Sequence, residues 1–137
     1  MADLLFVYGS LRRAADFPEA RLLAEAGVYR GPARAQGRLY RIDWYPGFVP
    51  SADPLQWVVG DLFALEDGPL LAMLDGYEGC GPDDPEPHEF RRARIIVEAP
   101  GGTIQAWAYL YAGPIDASRW IPGGDFLGQE PPSGHAR

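Results

Sequence analysis

The stretch Phe90-Arg91-Arg92-Ala93-Arg94-Ile95-Ile96-Val97-Glu98-Ala99-Pro100-Gly101-Gly102-Thr103-Ile104-Gln105-Ala106-Trp107-Ala108-Tyr109-Leu110-Tyr111-Ala112 decides the architecture. Residues 90–99 and 103–112 carry strand-forming side chains, and Pro100-Gly101-Gly102 stands between them as a turn. That combination predicts a hairpin of two long antiparallel strands. Successive side chains of a strand point to opposite faces, so Trp107, Tyr109 and Tyr111 share one face and Ala106, Ala108 and Leu110 the other. The same alternation separates Arg91 from Arg92, and at most one of them can reach a given site.

Outward from the hairpin, three more segments read as strands: residues 4–8, 37–42 and 57–65. In the last of these Gly60 marks a bulge or a point of close contact. Residues 19–26 hold good helix formers, with Gly27 placed to end the helix. Asp67 can cap a second helix beginning near Gly68 or Pro69, with Leu70, Leu74 and Tyr77 on one face. Residues 43–56 read as an ordered, aromatic-rich loop, and residues 80–89 as a proline-rich one. About five strands and two short helices give an α+β chain with a mixed or antiparallel sheet. Strands of this length with bulge glycines can curl into a small mixed β-barrel with short flanking helices. The expected organisation is one domain over residues 1–128 and a flexible tail over residues 129–137, with no internal repeat.

Composition removes several function classes. The 137 residues carry a formal net charge of −7, which disfavours a phosphate-tracking surface and hence nucleic acid as partner. All 12 basic residues are arginine, so a Schiff-base lysine, a lysine general base and a P-loop lysine are excluded. With Cys80 the only cysteine, no intramolecular disulfide can form. No signal-like start and no apolar run of membrane-spanning length is present in this sequence, so no membrane partner and a cytoplasmic location are expected.

Two short motifs carry the candidate chemistry. Phe6-Val7-Tyr8-Gly9-Ser10-Leu11 closes the first apolar run, and Leu74-Asp75-Gly76-Tyr77-Glu78-Gly79 closes the second helical pattern. Backbone N–H groups at a strand end, with Gly9 permitting close approach, suit an anionic group or a developing oxyanion. Glu78 falls near the buried edge of its helix and at the unfavourable end of the helix dipole, an odd choice for stability alone. Burial there raises a carboxyl pKa toward the range useful for general acid–base work. Other chemistries fit less well. Ser10 lacks a Gly-x-Ser-x-Gly setting, Cys80 and His88 have no supporting pattern, and the acidic loop lacks EF-hand spacing. No metal or cofactor is expected.

The motifs taken in order resemble those of γ-glutamylcyclotransferase-like proteins. The resemblance rests on Phe6-Val7-Tyr8-Gly9-Ser10-Leu11-Arg12-Arg13, Tyr45-Pro46, Gly60-Asp61-Leu62-Phe63, Leu74-Asp75-Gly76-Tyr77-Glu78-Gly79, Phe90-Arg91-Arg92, Ala106-Trp107-Ala108-Tyr109 and Ile121-Pro122-Gly123-Gly124-Asp125. Asp61 stands where glutamate is more usual in such proteins, and Phe90 where tyrosine is common. The resemblance implies a small decorated β-barrel that cyclises a γ-glutamyl amine or peptide to 5-oxoproline and releases the amine. It implies that Tyr8, Gly9, Ser10 and Leu11 hold the γ-glutamyl group, that Glu78 is the acid/base, and that Tyr109 lines the pocket. The expected partner is thus a small γ-glutamyl substrate. The alternatives are a catalytically silent module that binds such a ligand in the same pocket, and hydrolysis or acyl transfer at the same carboxylate.

Overall fold

The structure is a computed structural model, and it describes residues 3–9, 23, 25–43, 45–65 and 68–126. Its elements, in chain order, are β1 (Asp3–Val7), β2 (Val28–Arg41), β3 (Pro46–Pro50), β4 (Trp57–Leu65), α1 (Gly68–Tyr77), β5 (Phe90–Ala99), β6 (Gly102–Tyr111), a 3₁₀ turn (Ala117–Arg119) and β7 (Trp120–Ile121). The hairpin β5–β6 pairs from Phe90↔Tyr111 to Ala99↔Gly102, with Gly101 at φ +97 in the turn.

Five strands form a ring in the order β2-β4-β1-β6-β5, and the pairing Arg34↔Glu98 between β2 and β5 closes it. β1 runs parallel to β6 through Leu5↔Trp107, while the other pairings in the ring are antiparallel. The expected α+β mixed barrel is therefore what forms. β3 and β7 add to β2 outside the ring.

Three expectations need correction. The second strand begins at Val28, not at residue 37. Its inward residues along the missed part, Ala33 and Ala35, are small, and its outward ones are Arg34 and Gln36, so the apolar alternation is faint. Residues 43–56 are not all loop, because β3 pairs antiparallel with residues 37–41 of β2. Prolines at both ends of β3 hide it, and they are tolerated there because β3 is an edge strand. Among the described residues there are thus seven strands rather than five. Leu23, Glu25 and Ala26 are helical, and the Gly27 N–H donates to the Leu23 carbonyl at 2.8 Å. The rest of that expected helix, the Asp67 cap and the 129–137 tail lie outside the described residues.

Gly60 is a point of close contact. A Cβ there would sit 2.2 Å from the Val7 carbonyl oxygen and 2.8 Å from the Phe6 ring. The irregularity in the ladder falls instead on β2, between Tyr29 and Gly31.

Two apolar clusters share the sheet as a wall. Inside the barrel lie Phe6, Tyr8, Leu39, Phe48, Val58, Leu62 and Val97, joined by Ala106, Ala108 and Leu110. Outside it, Leu70, Leu71 and Leu74 of α1 pack with Leu5, Val7, Phe63, Leu65, Phe90 and Tyr109. The two faces of β6 part as their alternation predicts, Ala106, Ala108 and Leu110 inward and the aromatics outward. Helix α1 is pinned to the outer wall in this way, and its C-terminal end meets β5 and β6.

Candidate active site

Helix α1 ends in a Schellman arrangement. The Cys80 N–H donates to the Asp75 carbonyl at 3.0 Å and the Gly79 N–H to the Gly76 carbonyl at 3.1 Å. Gly79 takes φ +74, the left-handed conformation this motif needs and glycine adopts without penalty. Glu78 therefore sits as the last residue before the chain reverses, half-buried, with its N–H bonded to the Leu74 carbonyl at 2.9 Å. The helix stop at Gly79 agrees with the sequence expectation.

Tyr8 follows the last residue of β1 and turns into the barrel. Its ring packs edge-on against Phe48 at 5.5 Å and its hydroxyl donates to the Tyr109 carbonyl. Burial, and then the Glu78 charge, push the Tyr8 phenol well above its ordinary range, against a smaller opposing effect from the Phe48 backbone. Tyr109 projects to the outer face, where its hydroxyl donates to Asp75 Oδ1 at 2.8 Å. Burial is the main cause of its strongly raised pKa, followed by the hydrogen bond and charge of Asp75 and then the charge of Glu78. Both phenols are neutral across physiological pH.

Arg92 comes to the same place from β5. Its Nε donates to Asp75 Oδ1 at 2.8 Å and its Nη2 to Oδ2 at 3.2 Å, a two-pronged ion pair. The guanidinium also lies over the Trp107 ring, 4.3 Å from its centre. Arg91 is exposed, so only one of the two arginines reaches the cluster, as alternation requires.

Of the residues singled out in the sequence, Tyr8, Tyr109 and Glu78 are brought within electrostatic reach of one another. Gly9 adjoins them and packs against β3, since a Cβ on it would stand 3.0 Å from Pro46 Cγ. Ser10 and Leu11 lie outside the described residues. Sequence reasoning missed the Asp75–Arg92 pair and the bond from the Tyr45 hydroxyl to Glu89. Asp75 was visible inside the second motif, three residues before Glu78, but nothing local marks Arg92 as its partner. Among the described residues, no group of three or more His, Cys, Asp or Glu side chains is placed to hold a metal ion, and no helix is long and apolar enough to cross a membrane.

Cys80 follows this turn directly. Burial, then the charges of Asp75 and Glu78, push its thiol up from 9.0 to about 11, with Arg92 opposing. The thiolate is the reactive form, so alkylation at pH 7 is expected to run about a hundredfold slower than at an ordinary cysteine. Iodoacetamide labelling followed by mass spectrometry measures this directly, and labelling at the free-cysteine rate would show that the thiol is not held in this environment.

Residues 5–128 match the family described as gamma-glutamyl cyclotransferase, AIG2-like. The chain is 29% identical over 130 residues to the gamma-glutamylcyclotransferase family protein YtfP of Escherichia coli K12, covering 92% of this chain and 97% of that one. Its fold resembles that of YkqA from Bacillus subtilis, with a TM-score of 0.69 at 24% identity over 91% of this chain, although it spans only 39% of YkqA. It also resembles an AIG2-like protein from Mus musculus, with a TM-score of 0.67 at 21% identity over 86% of this chain and 82% of that one. By the match over nearly its whole length, the chain belongs to the gamma-glutamyl cyclotransferase, AIG2-like family.

Proposed function

We propose that this protein converts a γ-glutamyl amine or peptide into 5-oxoproline and the free amine. The observation that carries this reading is the convergence of Glu78, at the end of α1, with two neutral phenols, Tyr8 and Tyr109, whose proton affinities its charge raises. A carboxylate next to buried, uncharged donors suits proton transfer around an amide.

The substrate brings its own nucleophile. Its α-amine nitrogen attacks its γ-carbonyl carbon, the lactam C–N bond forms, and the γ-amide C–N bond breaks. Between the ammonium and the lactam N–H the α-nitrogen gives up two protons. Glu78 takes the first before attack and the second from the tetrahedral adduct. It passes them to the departing nitrogen, which leaves as an ammonium, so no water is consumed. Well-oriented intramolecular attack reaches effective molarities of about 10⁵ M or more, which leaves the protein to fold the glutamyl chain, move protons and hold an oxyanion. Tyr8, Gly9, Ser10 and Leu11 bind the γ-glutamyl group, with backbone N–H groups of that segment meeting its α-carboxylate or the oxyanion. Tyr109 lines the pocket. This scheme needs no cofactor.

A panel of γ-glutamyl dipeptides, γ-glutamyl alkylamines and γ-glutamyl-ε-lysine, incubated with the protein and resolved by chromatography, tests the reading. The expected outcome is 5-oxoproline in equal amount to one or more released amines. Binding without consumption across the panel would point to a silent module, and free glutamate to a hydrolase.

A further inference from the structure

The end of the barrel away from Tyr8 holds a cavity of about 540 Å³. Sites for small molecules span about 300–1,000 Å³. Leu4 lines it from β1, Leu62 and Ala64 from β4, and Ile104 from β6. Leu4 and Ile104 belong to the inward faces of their strands, two residues beyond Phe6 and Ala106. Ile104 is nevertheless 42% exposed, so the apolar interior is left unfilled at this end. Phe6, fully buried, stands on β1 between Leu4 and Tyr8. None of Tyr8, Tyr109 and Glu78 lines the cavity, which is therefore separate from the candidate active site.

Its rim has a definite charge. Arg30 is the one charged residue in the lining, and no Asp or Glu lies there, although the chain carries a net charge of −7. Arg30 owes its place to the β-bulge. β2 pairs Tyr29 with Phe63 and Gly31 with Leu62, which leaves Arg30 as the extra residue. Bulges at barrel rims re-aim a side chain in this way. Gly31 takes φ +107, and a Cβ on it would stand 3.3 Å from Pro100 Cγ, so the bulge is seated against the hairpin turn. Arg34, Arg92 and Arg119 each donate to a carboxylate or a carbonyl. Among the described residues, Arg30 has no hydrogen-bond or ion-pair partner. Thr103, also in the lining, adds a hydroxyl.

We propose that this cavity binds a small amphipathic anion, its apolar body against Leu4, Leu62, Ala64 and Ile104 and its single carboxylate-type head on Arg30 and Thr103. A cationic ligand would meet no carboxylate in the lining, and a polyphosphate only one guanidinium. The site stands apart from the reaction proposed at Glu78 and does not depend on it.

Octanoate is the probe, with 1-octanol as the same chain without the charge. Methyl-resolved NMR titration reads both affinity and place. The expected result is saturable shifts of the Leu4, Leu62, Ala64 and Ile104 methyls at octanoate concentrations below micelle formation. Arg30→Gln should weaken octanoate about tenfold or more, the loss of a charge-assisted hydrogen bond. It should leave the affinity for octanol unchanged. Arg30→Lys keeps the charge and should weaken octanoate less than Arg30→Gln does. Arg30 is exposed and belongs to neither apolar cluster, so both variants should keep the wild-type methyl spectrum in the absence of probe. No saturable shift, equal affinity in Arg30→Gln, or shifts centred on Tyr8 and Phe48 instead would each overturn the proposal.

Discussion

Replacing Glu78 by glutamine is expected to lower 5-oxoproline release by about 10²- to 10⁴-fold, the range for loss of a positioned acid–base group. The variant keeps the size and shape of the side chain, and the packing of α1 rests on Leu70, Leu71 and Leu74 rather than on Glu78. Its unfolding free energy in urea should therefore stay within about 0.5 kcal/mol of wild type. Loss of the anion should also ease ionisation of Tyr8 and Tyr109, because the Glu78 charge is among the causes that raise both. Turnover within a factor of ten of wild type would remove Glu78 from the proton-transfer role.

The second large effect concerns the helix itself. Leu74→Ala should cost about 2–5 kcal/mol, the range for deleting a fully enclosed leucine. Leu74 is 1% exposed and lies in the outer cluster with Leu5, Val7, Phe63 and Leu65, so its loss opens a cavity between α1 and the barrel wall. Against a typical total stability of about 5–15 kcal/mol, that is a large share. Met73, the preceding residue, is 50% exposed, and Met73→Ala should change stability by no more than about 0.5 kcal/mol. Urea denaturation of the two variants side by side provides the measurement. Equal midpoints would mean that α1 is not anchored through its apolar face, and that the position of Glu78 has another cause.

What the sequence made legible follows the strength of local signals. The β5–β6 hairpin has dense β-branched and aromatic content and a Pro-Gly turn, and its two faces separate as alternation requires. Helix α1 and its stop at Gly79 were readable for the same reason, since spacing and one glycine suffice. The first half of β2 was not, because alanine and glycine facing inward leave no apolar period to detect. Nor was β3, a five-residue edge strand bounded by prolines. Ring closure depends on one long-range pairing, Arg34↔Glu98, which no local pattern encodes. The site divides in a similar way. Glu78 stood out through the motif that carries it, because by position alone a carboxylate at a helix end is more often a solvated surface group. Its surroundings did not, since the partner of Asp75 comes from β5 and that of Tyr45 from the residue before it. Such partners are set by tertiary packing and by nothing adjacent in the chain.

The central claim is that the substrate's own amine, and not water, attacks the γ-carbonyl. Turnover of the preferred γ-glutamyl compound in ¹⁸O-enriched water, with the product examined by mass spectrometry, tests it most directly. The account predicts 5-oxoproline carrying no ¹⁸O at its lactam carbonyl, together with one equivalent of amine. Glutamate carrying ¹⁸O in its γ-carboxyl group would contradict it and assign the site to hydrolysis.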